Sequence, residues 1–324
     1  MVTTANNDDN NNNQMEQEVK KSQYKSIGNL LLDSPFRELE GVLNRATWSG
    51  VRSEYEELDK ITNGWQRGEL TIIAGRPSTG KTSFLLTMIS NLCMGHQVPT
   101  GFISLEMGEY QFLKRLFTVN SCVSHQNVLQ NKISKDEQDL LLESITDMEK
   151  VPLYVDCTPT LTITKIRQRA IEMLSKHGIK LLIIDYLQLI EGDNTQPINR
   201  YDEMSSITRQ LKKLAKELNI PIIVTSQMNR KSVSNDGYKS SLSLNNLGDS
   251  GTIEEDADVV CFLERPALYG VMSDERGNYL GDKAILTVAK NRSGVTGELF
   301  LQYLNDGGGF LDYEFETFPF DCLS

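Results

Sequence analysis

The stretch "GRPSTGKT", Gly75 to Thr82, continues the apolar run "LTIIAG" and leads into "KTSFLLTMI". It fits the pattern G-x-x-x-x-G-K-[ST], in which a strand enters a glycine-rich loop and a helix leaves it. Backbone N–H groups of such a loop face a concavity at the helix N-terminus, where an anion is favoured. We therefore predict a nucleotide phosphate site, with Lys81 neutralising the β- and γ-phosphates and the Thr82 hydroxyl reaching Mg²⁺. The predicted loop residues are Gly75, Arg76, Pro77, Ser78, Thr79, Gly80, Lys81 and Thr82.

Outward from this loop, apolar runs of strand type alternate with segments of helical pattern. The runs are nearly continuous in Val, Ile and Leu, which is typical of strands buried on both faces. This alternation predicts an α/β fold, with a mostly parallel central sheet and helices on both faces. The last two runs, "GELFLQYLN" and "GFLDYEF", have no helix between them and predict an antiparallel hairpin at the sheet edge. The remaining runs are "LTIIAG", "GFISLE", "PLYVD", "KLLIIDYLQLI", "PIIVTSQ", "DVVCFLE" and "AILTVAKN".

Several segments carry helix signals. The helix "KTSFLLTMISNLCMG" is expected to end at Gly95, and "ISKDEQDLLLESITDMEK" opens with Ser134 and Glu137 at the spacing of a capping box. The segment "YDEMSSITRQLKKLAKELN" has apolar residues at helical spacing. A further helix is expected from Ser34 and Pro35 onward, with an apolar stripe that docks on the domain or on another subunit. The stripe consists of Phe36, Leu39, Val42 and Leu43.

The composition of the 324 residues excludes several classes of protein. The net charge of −11 argues against a protein that coats nucleic acid nonspecifically, although a narrow basic channel stays compatible with it. No apolar run reaches the ~20 residues of a membrane span. Cysteine spacing without a C-x-x-C pair favours a reducing compartment, and we expect the cytoplasm. A zinc set from two Cys/His pairs is the less favoured alternative to packed helices. The pairs are Cys93 with His96 and Cys122 with His125.

Polar residues at the ends of the predicted strands are candidates for catalytic and metal-binding roles. Asp185 ends "LLIID", where a carboxylate faces the ligand crevice and can hold the Mg²⁺ shell. Glu106 ends "FISLE", and it is either a base for the attacking water or an acid favoured at a helix start. Gln227 ends "PIIVTSQ" and is either a γ-phosphate sensor or an ordinary strand end. Lys290 and Arg292 in "VAKNRSG" are either a solvated edge or an arginine-finger pair for a neighbouring subunit.

Taken in order, these segments resemble the motifs of the DnaB-family replicative helicases, a branch of the RecA-like ATPases. The resemblance covers roughly residues 45 to 318 and includes nearly every motif of the family. It rests on "ELDKITNGWQRGEL", "GRPSTGKTSF", "FISLEM", "LLIIDYLQL", "VTSQMNR", "DSGTIEEDADVV" and "VAKNRSG".

The resemblance implies a RecA-like P-loop NTPase that forms a ring, normally a hexamer. Such a ring encircles one DNA strand and moves 5′ to 3′ on ATP, so single-stranded and forked DNA are the implied partners. It implies that Glu106 is the catalytic glutamate, Asp185 the metal-linked aspartate and Gln227 the link between the γ-phosphate and the DNA loops. Lys290 and Arg292 match the basic pair that enters the next subunit's site. A helicase loader is a further partner of the family.

The resemblance also suggests a domain organisation. We predict a disordered polar tail over 1–25, a linker helix region over 26–47, an ATPase domain over 48–318 and a tail over 319–324. The family's large N-terminal helical domain, which gathers primase, is not expected in this chain, so primase binding by that route is not expected either.

The DNA-loop region departs from the family pattern. Gly248 stands where the family commonly has arginine, and the preceding stretch holds few cations. We therefore expect weak DNA contact or contact through backbone N–H groups. The cations of that stretch are Arg230, Lys231 and Lys239.

Two other functions are compatible with parts of the pattern. One is a RecA-like ATPase that acts in recombination or regulation without unwinding DNA. The other is a non-catalytic subunit that caps another ring, which would predict decay of a catalytic residue. The residues Lys81, Glu106, Asp185 and Arg292 are all intact, so the ring helicase is favoured.

Overall fold

The computed structural model describes residues 48–313 apart from residues 122, 194–198, 229–250, 274–276, 278 and 306. Internal contacts divide the chain after Ser49, and the fold described below belongs to the unit that begins at Gly50. Several predictions lie outside the described residues: the polar tail, the helix with its apolar stripe, the C-terminal tail, and Gly248 with its neighbouring cations.

Within the described residues, nine strands form one sheet in the order β3-β2-β4-β5-β1-β6-β7-β8-β9. Strands β1 to β6 are parallel to one another, and β7, β8 and β9 continue the sheet in antiparallel fashion. The predicted mostly parallel sheet with an antiparallel C-terminal hairpin at its edge is therefore confirmed. The strands are β1 (Leu70–Gly75), β2 (Thr100–Ser104), β3 (Leu153–Asp156), β4 (Leu181–Asp185), β5 (Ile222–Gln227), β6 (Val259–Glu264), β7 (Lys283–Asn291), β8 (Gly297–Tyr303) and β9 (Phe310–Asp312).

Helices cover both faces of the sheet. Two short 3₁₀ turns, Leu187–Leu189 and Pro266–Tyr269, follow β4 and β6. Among the described residues, no helix has both the length and the apolar character needed to span a membrane. The helices are α1 (Glu56–Thr62), α2 (Lys81–His96), α3 (Glu109–Ser121), α4 (His125–Leu129), α5 (Lys135–Met148), α6 (Ile163–His177), α7 (Arg200–Leu218) and α8 (Gly251–Asp256).

The core consists of two apolar layers, one on each face of the sheet, because the central strands are buried on both sides. One layer packs α6 and α7 against the strands, and the other packs α2 and α3 against the opposite face. Alternate residues of β1 enter opposite layers, with Ile72 in the first and Ile73 in the second. This double burial explains the continuous apolar composition of the central strands.

Local signals set the ends of the helices. Ser134 and Glu137 form both hydrogen bonds of the predicted capping box at the start of α5. Helix α2 runs to His96, one residue past the expected end at Gly95, and closes at Gln97 with φ 51°. The left-handed residue that ends a helix is usually glycine, which is why the sequence favoured Gly95.

The run "KLLIIDYLQLI" is only partly a strand. Strand β4 ends at Asp185, and the chain then turns into the 3₁₀ segment Leu187–Leu189. The predicted position of Asp185 at the end of the strand is therefore confirmed, and the apolar residues beyond it belong to the turn. Leu187 is nevertheless buried in the core, so an apolar composition continues beyond the strand itself.

The described residues contain no cluster of three or more His, Cys, Asp or Glu side chains that could hold a metal ion. Cys93 is buried within α2, as the packed-helix interpretation expects, and its thiol contacts the carbonyl oxygen of Val98. Cys122 lies outside the described residues.

Candidate active site

The loop between β1 and α2 has the geometry of a phosphate cradle. Ser78 and Gly80 adopt positive φ angles of 65° and 96°, which fold the chain back over the start of α2. Thr79 closes the turn, because its hydroxyl donates to the carbonyl oxygen of Arg76 at 2.9 Å. A Cβ atom on Gly75 would lie 2.7 Å from the carbonyl oxygen of Leu263, so this position requires glycine.

Lys81 is held against its own loop. Its ammonium donates to the carbonyl oxygens of Gly75 at 2.9 Å and Arg76 at 3.0 Å. Burial lowers the pKa of Lys81 to about 8, although the nearby carboxylates of Asp185 and Glu106 oppose that shift. A phosphate that replaced the two carbonyl acceptors would give this ammonium a counter-charge.

Asp185 lies at the carboxyl end of β4, directly opposite the start of α2. The hydroxyl of Thr82 donates to one carboxylate oxygen at 2.7 Å, and the hydroxyl of Thr225 donates to the other. Asp185 is 2% exposed. The structure thus joins the two predicted metal-linked residues, although Thr225 was not anticipated.

A magnesium ion fits this donor set. Magnesium prefers hard oxygen ligands and is usually held by one or two protein groups, with waters and substrate phosphates completing its shell. The Thr82 hydroxyl and the Asp185 carboxylate supply such oxygens beside the phosphate loop.

Glu106 stands at the same edge of the sheet. It follows β2, and its backbone position is fixed by a turn in which the Ser104 hydroxyl bonds to both backbone groups of Met107. The backbone N–H of Leu105 donates to the carbonyl oxygen of Asp185 at 2.8 Å, which ties the two strand ends together. The Glu106 side chain is exposed and lies close enough to Lys81 for its charge to favour the protonated ammonium, which opposes the lowering of the Lys81 pKa by burial.

Gln227 ends β5 beside the phosphate loop, since it pairs in register with Gly75. Its side chain is exposed. Its backbone is clamped by Gln188, whose side-chain oxygen accepts from the Gln227 N–H at 3.1 Å and whose amide nitrogen donates to the Gln227 carbonyl. Sequence reasoning missed Gln188, because no spacing rule links a residue in the turn after β4 to the end of β5.

Arg76 is buried and packs against the turn that follows β6. Its guanidinium lies 4.6 Å from the ring centre of Tyr269, in the 3₁₀ turn after β6. Pro77 is half-buried and Ser78 is exposed at the tip of the loop.

An aromatic platform lies beside Gly80 and was also missed. A Cβ atom on Gly80 would meet the ring of Phe310 at 2.8 Å, and Phe310 contacts Tyr303 edge to face. The guanidinium of Arg265 lies 3.4 Å from the ring centre of Tyr303. Phe310 is fully buried and Arg265 covers a face of Tyr303, so these groups pack beside the start of α2 rather than offering an open face to a ligand. The sequence offered no spacing rule that links Arg265, Tyr303 and Gly80.

Lys290 and Arg292 do not join the other predicted residues. Strand β7 is antiparallel to β6, so its carboxyl end lies beside the beginning of β6. The N–H of Arg292 donates to the carbonyl oxygen of Asp258, and the N–H of Asp258 donates to that of Leu70, the first residue of β1. Gly75 is the last residue of that strand, five steps or about 17 Å away at the usual rise of a strand. The basic pair therefore lies at the opposite edge of the sheet from the phosphate loop of its own chain.

A protein-family model described as the C-terminal domain of DnaB-like helicases matches residues 50–312. The chain belongs to this DnaB-like family. Similar proteins include a probable replicative DNA helicase from Trieres chinensis, 35% identical over 285 residues, which cover 88% of this chain and 61% of that protein. Another is the replicative DNA helicase DnaB of Geobacillus stearothermophilus, 31% identical over 301 residues, which cover 93% of this chain and 64% of that protein. This chain thus spans somewhat under two thirds of the length of these curated relatives.

Solved structures of DnaB-like helicases share the fold. One solved ATPase domain superposes with a TM-score of 0.80 at 28% identity, covering 90% of this chain and all of that one. A DnaB-like replicative helicase, solved in a study of its interactions with primase, gives a TM-score of 0.79 at 27% identity. That match covers 93% of this chain and 71% of the other. The predicted family resemblance and RecA-like fold are therefore confirmed.

Proposed function

We propose that the protein is an ATP-dependent DNA helicase of the DnaB type, working 5′ to 3′ as a ring of identical subunits, normally six. Membership of the DnaB-like family supports this function, as does the convergence of Lys81, Thr82, Asp185, Glu106 and Gln227 at one edge of the sheet. The observation that carries the proposal is the position of Arg292 at the opposite edge.

The residues at the sheet edge that carries the phosphate loop have separate roles in the proposed ATP hydrolysis. The phosphate loop and Lys81 bind the β- and γ-phosphates of ATP, which is the substrate. Mg²⁺, held through Thr82 and Asp185, would neutralise the charge that develops on the phosphates. In this proposal Glu106 takes a proton from the attacking water. The side chain of Gln227, whose backbone is held by Gln188, responds to the γ-phosphate in this proposal.

The basic pair completes the site of another subunit. Because about 17 Å of strand separate Arg292 from its own phosphate loop, its guanidinium does not reach a phosphate bound there. A second copy that presents its phosphate-loop edge to Arg292 would receive a cation at the γ-phosphate. Arginine fingers supplied in this way contribute about 10³–10⁵ to the rate of phosphoryl transfer.

An exposed apolar surface is consistent with contacts between copies. Helices α3, α4 and α5 expose large apolar side chains to solvent, with Tyr110 77% and Leu142 62% exposed. Exposed apolar surface of this kind commonly marks a protein interface. The other members of this surface are Leu113, Leu129, Leu140 and Ile145.

The proposed partners are single-stranded and forked DNA, further copies of the chain, and a helicase loader. Primase is a partner to test, since one solved DnaB-like helicase was studied for its interactions with primase. We also propose a cytoplasmic location for the protein.

A subunit-mixing experiment tests the shared site. Arg292→Ala removes the finger and Glu106→Gln removes the base, so each variant alone should lose nearly all ATPase activity. In a mixed ring, an Arg292→Ala subunit still offers its phosphate loop and Glu106 to the Arg292 of a Glu106→Gln neighbour. With random mixing in a head-to-tail ring, about a quarter of the interfaces recover both groups.

The expected result is a partial return of ATPase turnover in the mixture. Subunit exchange is confirmed first by native mass spectrometry on isotope-labelled protein. An inactive mixture after confirmed exchange contradicts the shared site. Strand displacement from a forked substrate, with and without ATP, then separates a helicase from an ATPase that does not unwind DNA.

A further inference from the structure

Asp258 lies at the junction of three elements that the proposed function does not otherwise connect. It follows α8 and precedes β6, and only 5% of it is exposed. One carboxylate oxygen accepts from the backbone N–H of Leu70 at 2.8 Å and from the ammonium of Lys212 at 2.5 Å. The other accepts from the guanidinium of Arg292 at 3.2 Å. Asp258 is thus a buried acid that holds the guanidinium of Arg292.

The carboxyl end of α8 holds the rest of the basic pair. The ammonium of Lys290 donates to the carbonyl oxygens of Glu254 and, at 2.8 Å, Ala257. The second guanidinium nitrogen of Arg292 donates to the carbonyl oxygen of Glu255. Carbonyl groups at a helix C-terminus carry partial negative charge, so they attract both cations. The pair is therefore held in a definite position while 47% of the Arg292 side chain stays exposed.

We propose that Asp258 is a positioning residue for Arg292, and through it for hydrolysis in the neighbouring subunit. This inference rests on the proposed function, because it assumes that Arg292 acts on a phosphate bound by another copy. A guanidinium on a flexible side chain loses much of its effect when its position varies by about 1 Å, and such misplacement can cost about 10²-fold in rate. Asp258 and the α8 carbonyls restrict that variation before the neighbour arrives.

A purely structural role for Asp258 predicts a different defect when the residue is replaced. Asp258 also caps the first N–H of β1, the strand that carries the phosphate loop. If that bond were its main contribution, the loss of Asp258 would damage the phosphate loop of its own subunit. The two roles therefore place the defect in opposite halves of the shared site, and mixed rings can tell them apart.

The test uses Asp258→Asn, which keeps the shape of the side chain and one oxygen acceptor. The homogeneous variant should lose about 10²-fold in kcat, with a KM for ATP close to that of the unaltered protein, because the phosphate loop is intact. Mixed with Glu106→Gln, it should recover activity, since it offers an intact phosphate loop to an intact Arg292. Mixed with Arg292→Ala, it should show no recovery, because neither subunit supplies a well-placed finger.

Recovery in the Arg292→Ala mixture would overturn the proposal, because it would place the defect in the phosphate-loop half. Absence of recovery in the Glu106→Gln mixture would overturn it too, provided that Glu106→Gln and Arg292→Ala complement each other. If the reference mixture of Glu106→Gln with Arg292→Ala is itself inactive, the shared site is refuted. That outcome contradicts the proposed function and is thereby distinguished from a failure of the Asp258 proposal.

A matched control is Asp59→Asn. Asp59 is also a buried acid, and it accepts from the backbone N–H of Ser53 at 2.7 Å and from the guanidinium of Arg52 at 3.5 Å. It contacts neither half of the proposed site, so turnover should stay within about twofold of the unaltered protein, well below the effect of a misplaced catalytic group. If Asp258→Asn does not assemble, Asp258→Glu replaces it in the same mixtures, since the added methylene displaces the carboxylate, and the same outcomes decide.

Discussion

The pKa of Lys81 predicts that nucleotide binding takes up a proton above neutral pH. Burial lowers this pKa from 10.5 to about 8 in the unliganded protein. Phosphates bound in the loop supply the counter-charge that the site lacks, so the pKa should return to about 10 or above. A Lys81 side chain that is neutral in the free protein must therefore take up a proton when ATP binds.

The magnitude follows from the fraction of neutral lysine. With a free-state pKa of about 8, that fraction is roughly 0.1 at pH 7, 0.5 at pH 8 and 0.9 at pH 9. Phosphate groups of the nucleotide, with a second pKa of about 6, change little over this range. Proton uptake should rise along the same curve. The binding constant, which follows the charged fraction, should fall about tenfold between pH 7 and pH 9.

Isothermal titration calorimetry measures this uptake when ATP binding is repeated in buffers of different ionisation enthalpy at fixed Mg²⁺. Lys81→Arg is the control, because a guanidinium stays charged throughout this range and should remove the pH dependence. Uptake below about 0.1 proton at both pH 8 and pH 9 would refute the reasoning. It would mean that Asp185 and Glu106 outweigh burial and keep Lys81 charged.

Three further perturbations test other features. Gly80→Ala should weaken ATP binding by at least about tenfold in the same titration. The reason is that φ at Gly80 is 96° and a Cβ atom there would lie 2.8 Å from the Phe310 ring. Binding within about twofold of the unaltered protein would contradict the loop geometry. Deleting residues 1–47 should shift the particle toward monomer in light scattering, whereas deleting residues 1–25 should not; equal masses count against a docking role for the apolar stripe. Gly248→Arg should tighten single-stranded DNA binding and add about one unit to its salt slope; an unchanged salt titration would exclude this residue from the DNA path.

The phosphate-loop half of the site was predictable because it depends on local patterns. Gly75 to Thr82 have a fixed spacing, and parallel strands place their carboxyl ends at one edge, so Asp185, Glu106 and Gln227 had to lie near the loop. The family match supported that reasoning over residues 50–312.

Other contacts had no local signal. Gln188 reaches Gln227 only because the chain leaves β4 as a 3₁₀ turn, which an apolar run does not reveal. Asp258 meets Leu70 and Lys212 across long stretches of sequence, and its role depends on the strand order. The opposite placement of Arg292 likewise followed only from the antiparallel pairing of β7 with β6.

The two halves of the proposed site lie at opposite ends of β1 within each subunit, and this bears on the symmetry of the proposed ring. Two copies related by a twofold axis contact each other through the same surface. In the proposed ring, by contrast, each copy gives its Arg292 to one neighbour and its phosphate loop to another, because these two features lie at opposite ends of β1. The two contact surfaces of a copy then differ, so such an assembly has a direction, and it either closes into a ring or continues as a helix.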